Sequence, residues 1–275
     1  MHIQMVVFSE PKAGQSPGDW EDCACGGVVS AVAPGQVAQR ARFVVVDGAT
    51  EAYDALRWVD QLVTSFSGQA NAAVGPRLEP AAMRAWFAQM QDQWARESPT
   101  VFDSIIEERK FIEVGSFATL LGCELSGIDC PEPAWQAVAL GDTVLFHVRH
   151  GHLLATFPPL GPNDFGTRPD GVYTLRSRLD RMSERLLFGG GSLAPGDFLF
   201  GATDAMAHWI IRSVARGGER VLTVLEGLAH PSVFTRLVDD HRRARNSDER
   251  MKNDDVTLLR LRVLPDQPSF LLRCL

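Results

Sequence analysis

Strand-like and helix-like runs come in blocks along this chain rather than in alternation, and that order limits the folds open to it. Three runs of small or β-branched residues open the sequence: IQMVVFS at 3–9, DCACGGVVSAVA at 22–33 and ARFVVVDG at 41–48, the last ending in an Asp-Gly turn signal. EAYDALRWVDQLVTSF then places Tyr53, Leu56, Trp58, Val59, Leu62, Val63 and Phe66 near helical spacing, behind Thr50 as the capping residue. A Gly/Ala/Pro stretch at 68–76 leads to a second helix from Pro80 to about Arg96, and a third runs from about Thr100 to Lys110. SFATLLGCEL, AWQAVALGD, TVLFHVRHG and HLLATF are short runs broken by glycine, the spacing of an antiparallel meander. After turn-forming residues at 158–171, LDRMSERLL reads as a short helix, DFLFGATD as a strand ending at an acid, and AMAHWIIRSVAR as an amphipathic helix. Two more helical stretches precede the β-like VTLLRLRVL and SFLLRCL. Such blocks argue against a Rossmann or barrel architecture and for an α+β layered fold. With no repeat and no low-complexity linker, residues 1–275 read as one domain, with a loop or flap segment around 156–190.

Composition narrows the class of partner. A 45% hydrophobic, 22% charged chain is globular, not disordered. Its net charge of -7 disfavours nucleic acid and anionic membranes as partners. The odd set Cys23, Cys25, Cys123, Cys130 and Cys274 fits reduced thiols better than a disulfide framework. No apolar run reaches membrane-spanning length, and the first ten residues lack the form of a signal peptide. The expectation is a soluble, cytoplasmic protein.

The chemistry is concentrated in acids at strand ends. Asp47 follows FVVV, Asp142 follows AVALG, Asp204 follows FLFGAT, Asp254 precedes VTLLRL, and Asp22 precedes an apolar strand. Taken singly, each is explained by the ordinary use of Asp as a turn residue. Taken together, they form the kind of rigid oxygen donor set that hard divalent cations such as Mg²⁺ or Mn²⁺ require.

In order and wording these segments resemble the metal-dependent serine/threonine protein phosphatases of type 2C. The likeness rests on Trp20-Glu21-Asp22, VVVDGATE at 44–51, GSFATLL at 115–121, VALGDTVLFHVRHGHL at 138–153, APGDFLFGATDAM at 194–206 and NDDVTLLRLRV at 253–263. It implies a four-layer α-β-β-α sandwich: two packed antiparallel β-sheets flanked by helices on both sides. It also implies two bound Mg²⁺ or Mn²⁺ ions, with room for a third. Asp47 would bridge the pair with the Gly48 carbonyl beside it, Asp204 and Asp254 would hold the first ion, Asp22 would support the second through water, and Asp142 would serve a third site. Water activated between the ions would be the nucleophile, with no catalytic side chain. The implied substrate is a protein phosphorylated on Ser or Thr by a kinase. The alternative is a catalytically silent module of the same fold that binds a phosphoprotein or signalling partner.

The chain departs from the family where phosphate is handled. The arginine usual four or five residues before the acid pair is replaced near Pro17 and Gly18, leaving Lys12 and Arg42 as candidate phosphate ligands. Trp20 replaces the usual Asn, Ala205 the usual Gly, and no histidine follows the Asp-Gly. GGG at 189–191 lacks the lysine of a P-loop and reads as a turn. His147, His150 and His152 lie in a hairpin whose turn is His150-Gly151, which scatters their rings over surface or partly buried positions.

Overall fold

The computed structural model describes residues 2–15, 20–33, 36–49, 52–68, 75–98, 101–127, 132–166, 169–264 and 269–272. The strands are β1 (His2–Glu10), β2 (Asp22–Ala33), β3 (Gln36–Gly48), β4 (Phe117–Ser126), β5 (Ala134–Leu140), β6 (Val144–Arg149), β7 (His152–Phe157), β8 (Val172–Tyr173), β9 (Leu187–Ser192), β10 (Asp197–Ala202), β11 (Val256–Leu264) and β12 (Ser269–Leu272). The helices are α1 (Ala55–Ser67), α2 (Pro80–Glu97), α3 (Ile105–Arg109), α4 (Leu179–Glu184), α5 (Asp204–Ala215), α6 (Arg220–Glu226) and α7 (Pro231–Arg242). One sheet runs β12-β1-β11-β10-β6-β7 and the other β2-β3-β4-β5-β9, with β8 added beside β4. Pairing is antiparallel except at one edge, where β12 joins β1 in parallel.

Side-chain alternation builds the layers, because successive strand residues face opposite sides. On β11, Val256 and Leu258 pack under α5, α6 and α7, while Leu259, Leu261 and Val263 face the other sheet. On β3, Val44 and Val46 pack under α1 and α2, while Phe43 and Val45 meet the first sheet. Strands buried on both faces read as continuous apolar runs, which is why FVVV and TLLRL lack clean alternation. The result is the expected four-layer sandwich.

Several local expectations are corrected. Thr50 and Glu51 lie outside the described residues, and α1 begins only at Ala55, after Asp54 takes a left-handed φ of 47°. The third helix is five residues long, capped by Ser104, and continues as a π-helical turn over Lys110–Val114. The triple glycine is not a turn but the middle of β9. A Cβ on Gly189 would stand 2.6 Å from the Phe157 ring, and one on Gly191 2.8 Å from the Trp135 indole, so the glycines let this strand lie flat on aromatics. Within the segment expected as a flap, Val172, Leu179, Met182 and Leu186 are buried in the core beneath α2.

The sharpest close approach is in mid-sheet. A Cβ at Gly122 would fall 2.2 Å from Cζ of the fully buried Phe66 of α1. Gly122→Ala is expected to cost about 1–3 kcal/mol through overpacking, read as a lower urea midpoint with an unchanged m-value.

His147 corrects the reading of the histidines. It is buried between the sheets, its Nε2–H donating to Asp197 Oδ2 at 2.8 Å while its Nδ1 accepts from the Trp135 indole N–H at 3.3 Å. His150 holds the turn with φ of 52°, and His152 is exposed beside Glu219, so the three rings do scatter. Asp197 also accepts from Arg149 Nε at 2.6 Å and Nη2 at 2.9 Å, and from the Ala194 amide at 2.8 Å. Burial alone would push its carboxyl up, yet these donors, Arg149 first, hold it well below the usual range. Between the lowered folded value and the ordinary value of about 3.9, the unfolded chain binds the extra proton. This contribution to stability is therefore intact above about pH 4 and fades as the pH falls further. Asp197→Asn should flatten the stability curve below pH 4, measured by urea melts between pH 2 and 6.

Candidate metal centre

The five acids meet at one end of the sandwich because of strand direction. β2 starts at Asp22, directly paired with Asp47, the last residue but one of β3. β10 ends just before Asp204, beside the start of β11 that follows Asp254. Asp142 lies in the crossing from β5 of one sheet to β6 of the other.

Glycines permit the tight joins. A Cβ on Gly48 would stand 2.8 Å from the Glu21 carbonyl and 2.9 Å from Val59, so the Asp-Gly ending lets β3 close against the chain entering β2. Gly141 has φ of 107°, and a Cβ there would lie 2.6 Å from both the Asp170 carbonyl and Thr119. Only glycine adopts that backbone without strain, which fixes Asp142 behind it.

Threonines stitch the two sheets at this end. Thr203 Oγ1 donates to Asp22 Oδ2 at 2.8 Å and accepts from the Thr257 amide at 2.9 Å. Asp255 accepts from the Lys12 amide at 2.8 Å and the Glu21 amide at 3.0 Å, tying two loops to the start of β11.

Electrostatics set these acids apart from surface carboxylates. Asp47 is pushed well up, by burial first and then by the charges of Asp22, Asp204, Asp142 and Asp254. Asp22 is pushed up by burial and by Asp255 and Asp204, against the hydrogen bond from Thr203. Asp142 is raised to about 7 by burial and the charge of Asp204. Its Oδ1 is buried without a hydrogen-bond partner.

One cation is already there. The Lys252 ammonium donates to Asp204 Oδ2 at 2.8 Å and Asp254 Oδ2 at 2.7 Å. Among the described residues, no three His, Cys, Asp or Glu side chains surround a common point at metal-holding spacing. The donor chemistry nevertheless fits a hard divalent ion: oxygen donors throughout, an orphaned buried carboxylate oxygen on Asp142, and a buried Asp47 facing the charges of Asp22, Asp204, Asp142 and Asp254.

The two phosphate candidates separate. Arg42 is buried, and its Nε and Nη2 donate to Glu124 Oε2 at 2.7 and 2.5 Å. It lies five residues up β3 from Asp47, and its guanidinium is held by a buried ion pair and not turned to the acids. Lys12 stands at the cluster through its backbone amide on Asp255. Pro17 and Gly18 lie outside the described residues. Sequence reasoning passed over Lys252, Thr203 and Asp255. Lys252 left a signal, one of three lysines in a chain whose other basic residues are 24 arginines, two positions before Asp254.

No family model matches the sequence, and no curated protein does. Solved structures match over nearly the whole chain. The catalytic domain of the serine/threonine protein phosphatase PstP, in complex with two manganese ions, aligns at TM-score 0.58 and 13% identity, over 95% of this chain and 98% of that one. A serine/threonine phosphatase from Staphylococcus aureus aligns at 0.57 and 12% identity, over 94% of each chain. A photosystem II phosphatase aligns at 0.56 and 11% identity, over 95% and 98%. Identities this low carry architecture and not chemistry. The chain has the fold of the type 2C serine/threonine protein phosphatases.

Proposed function

We propose that this chain is a Mg²⁺- or Mn²⁺-dependent phosphatase that hydrolyses phosphoserine or phosphothreonine in proteins. The observation that carries the reading is the meeting of Asp22, Asp47, Asp142, Asp204 and Asp254 at one end of a sandwich, with Asp47 raised by burial first and then by the charges of the other four. Asp47 and the Gly48 carbonyl would hold both ions of a pair, Asp204 and Asp254 the first ion, Asp22 the second through water, and Asp142 a third. When bound, such ions supply the Lewis acidity that makes water nucleophilic near neutral pH and offset the charge of a transferring phosphoryl group. The chain's own part is positional. Thr203 fixes the Asp22 carboxylate by its hydroxyl, Gly48 lets the Asp47 strand end close up to Glu21, and Asp255 anchors the flanking loops.

The domain as a whole, 1–275, would work in the cytoplasm on kinase products. Cys23 and Cys123 are free thiols, and among the described residues no helix is long and apolar enough to cross a membrane. Burial pushes the Cys23 thiol up to about 11, which keeps it unreactive. One observation favours a second reading, a silent module that binds a phosphoprotein: Lys252 closes on the two carboxylates assigned to the first ion. Hydrolysis of an aryl phosphate and a phosphothreonine peptide, with Mn²⁺, with Mg²⁺ and with chelator, decides between them. Turnover that requires metal and includes the peptide supports the enzyme. No turnover under any metal condition transfers the function to binding.

A further inference from the structure

We propose that Lys252 is a tethered counter-cation that competes with the metal for Asp204 and Asp254, and so sets how tightly the first ion is held. The inference rests on the metal reading above and concerns this chain's own departure from it.

The geometry is that of a cation seat. One ammonium nitrogen lies within 2.8 Å of a carboxylate oxygen from each of two segments, the start of α5 and the approach to β11. Distances of this length are charge-assisted hydrogen bonds, the strong class. A lysine ammonium is a compact point charge on a flexible stem, able to take the place of a small ion between two carboxylates. Both carboxylate contacts are made by Oδ2, so a metal that claimed these oxygens would meet the ammonium at the same place.

The stem also has somewhere to go. The Lys252 side chain is 55% exposed, and a cavity of about 570 Å³ opens beside it, lined by Phe165, Asp204, His208, Arg212 and Arg250. Swinging out costs Lys252 little packing. It moves the ammonium towards Arg212 and Arg250, however, and like charge disfavours that position. Lys252 is therefore biased back onto Asp204 and Asp254, and a metal has to outbid a cation that cannot diffuse away. Such a device stabilises the metal-free acid cluster while lowering metal affinity.

The test is calorimetric titration of Mn²⁺ into the full chain and into Lys252→Met, with melting temperatures measured in chelator and in excess Mn²⁺. Lys252→Met should bind Mn²⁺ at least about tenfold more tightly. It should melt lower than wild type in chelator and show the larger rise on adding Mn²⁺. Lys252→Gln serves as a second neutral replacement should the methionine variant fold poorly. Equal or weaker Mn²⁺ binding by the neutral variants overturns the role of Lys252 and leaves the metal reading standing. Failure of wild type and both variants to take up Mn²⁺ overturns the metal reading and the proposal together.

Discussion

Asp47→Asn is expected to lower metal-dependent phosphatase turnover by about a thousandfold or more, equivalent to about 4 kcal/mol on the barrier, while the fold persists. The substitution keeps the size of the side chain but removes the charge at the centre of the acid set. Two dications that share this residue would repel each other with less compensation, so at least one should bind more weakly. The metal-free variant should be no less stable than wild type near pH 7, because Asp47 is buried and opposed by Asp22, Asp204, Asp142 and Asp254. The sign follows from its raised carboxyl. A raised folded value makes the native state hold its proton longer than the unfolded chain, so ionisation near neutrality costs stability that the amide does not lose. Steady-state assays at saturating Mn²⁺, paired with thermal melts in chelator, read both effects. Near wild-type turnover would end the two-metal mechanism for this chain, and a collapsed melt would make Asp47 structural.

Glu124→Gln is expected to destabilise the protein by about 3–5 kcal/mol, the usual cost of leaving one member of a buried ion pair uncompensated. Arg42 is 2% exposed and Glu124 7%, and the guanidinium gives Glu124 Oε2 two short hydrogen bonds. Arg40 reaches Oε1 at 3.0 Å from the solvent side. Arg42→Met combined with Glu124→Leu removes both charges and should recover most of the loss, since apolar pairs of similar volume commonly replace buried ion pairs without penalty. A double-mutant cycle from denaturant melts gives the coupling. Turnover per folded molecule should be unchanged in the double variant. A selective rise in KM for the phosphopeptide would instead return Arg42 to phosphate binding.

The layered architecture was legible because its signals are local. β2 could be bounded to the residue from DCACGGVVSAVA, and α2 from Pro80, since small and β-branched runs, turn residues and a proline at the helix start act over a few positions. The acids were legible for a related reason: each punctuates a strand, so sequence order alone brings them to strand ends. What stayed hidden depends on contacts between distant segments. β9 looked like a turn because its glycines answer to Phe157 and Trp135, 32 and 56 residues away from Gly189 and Gly191 respectively. The first turn of α1 shifted because Asp54 adopts a left-handed backbone that no helical period reveals. Arg42 was drawn to phosphate by its charge alone, and only the register of β3 with β4, which sets it opposite Glu124, assigns it elsewhere. Burial of His147 likewise needs Asp197, 50 residues on.

The seam at the acid end also bears on how the chain comes together. Asp22 and Asp47 belong to one sheet, Asp204 and Asp254 flank strands of the other, and Asp142 sits where the chain crosses between them. The bonds that join this end span most of the chain, 181 residues from Thr203 to Asp22 and 234 from Asp255 to Glu21. Closures of that length are the slow, late contacts of a folding reaction. Neither sheet on its own can carry the whole donor set, and on the ribosome the set stays incomplete until residue 254 has been made. Capture of a metal ion by this donor set would thus report that folding has finished, and time-resolved Mn²⁺ uptake during refolding would clock the docking of the two halves.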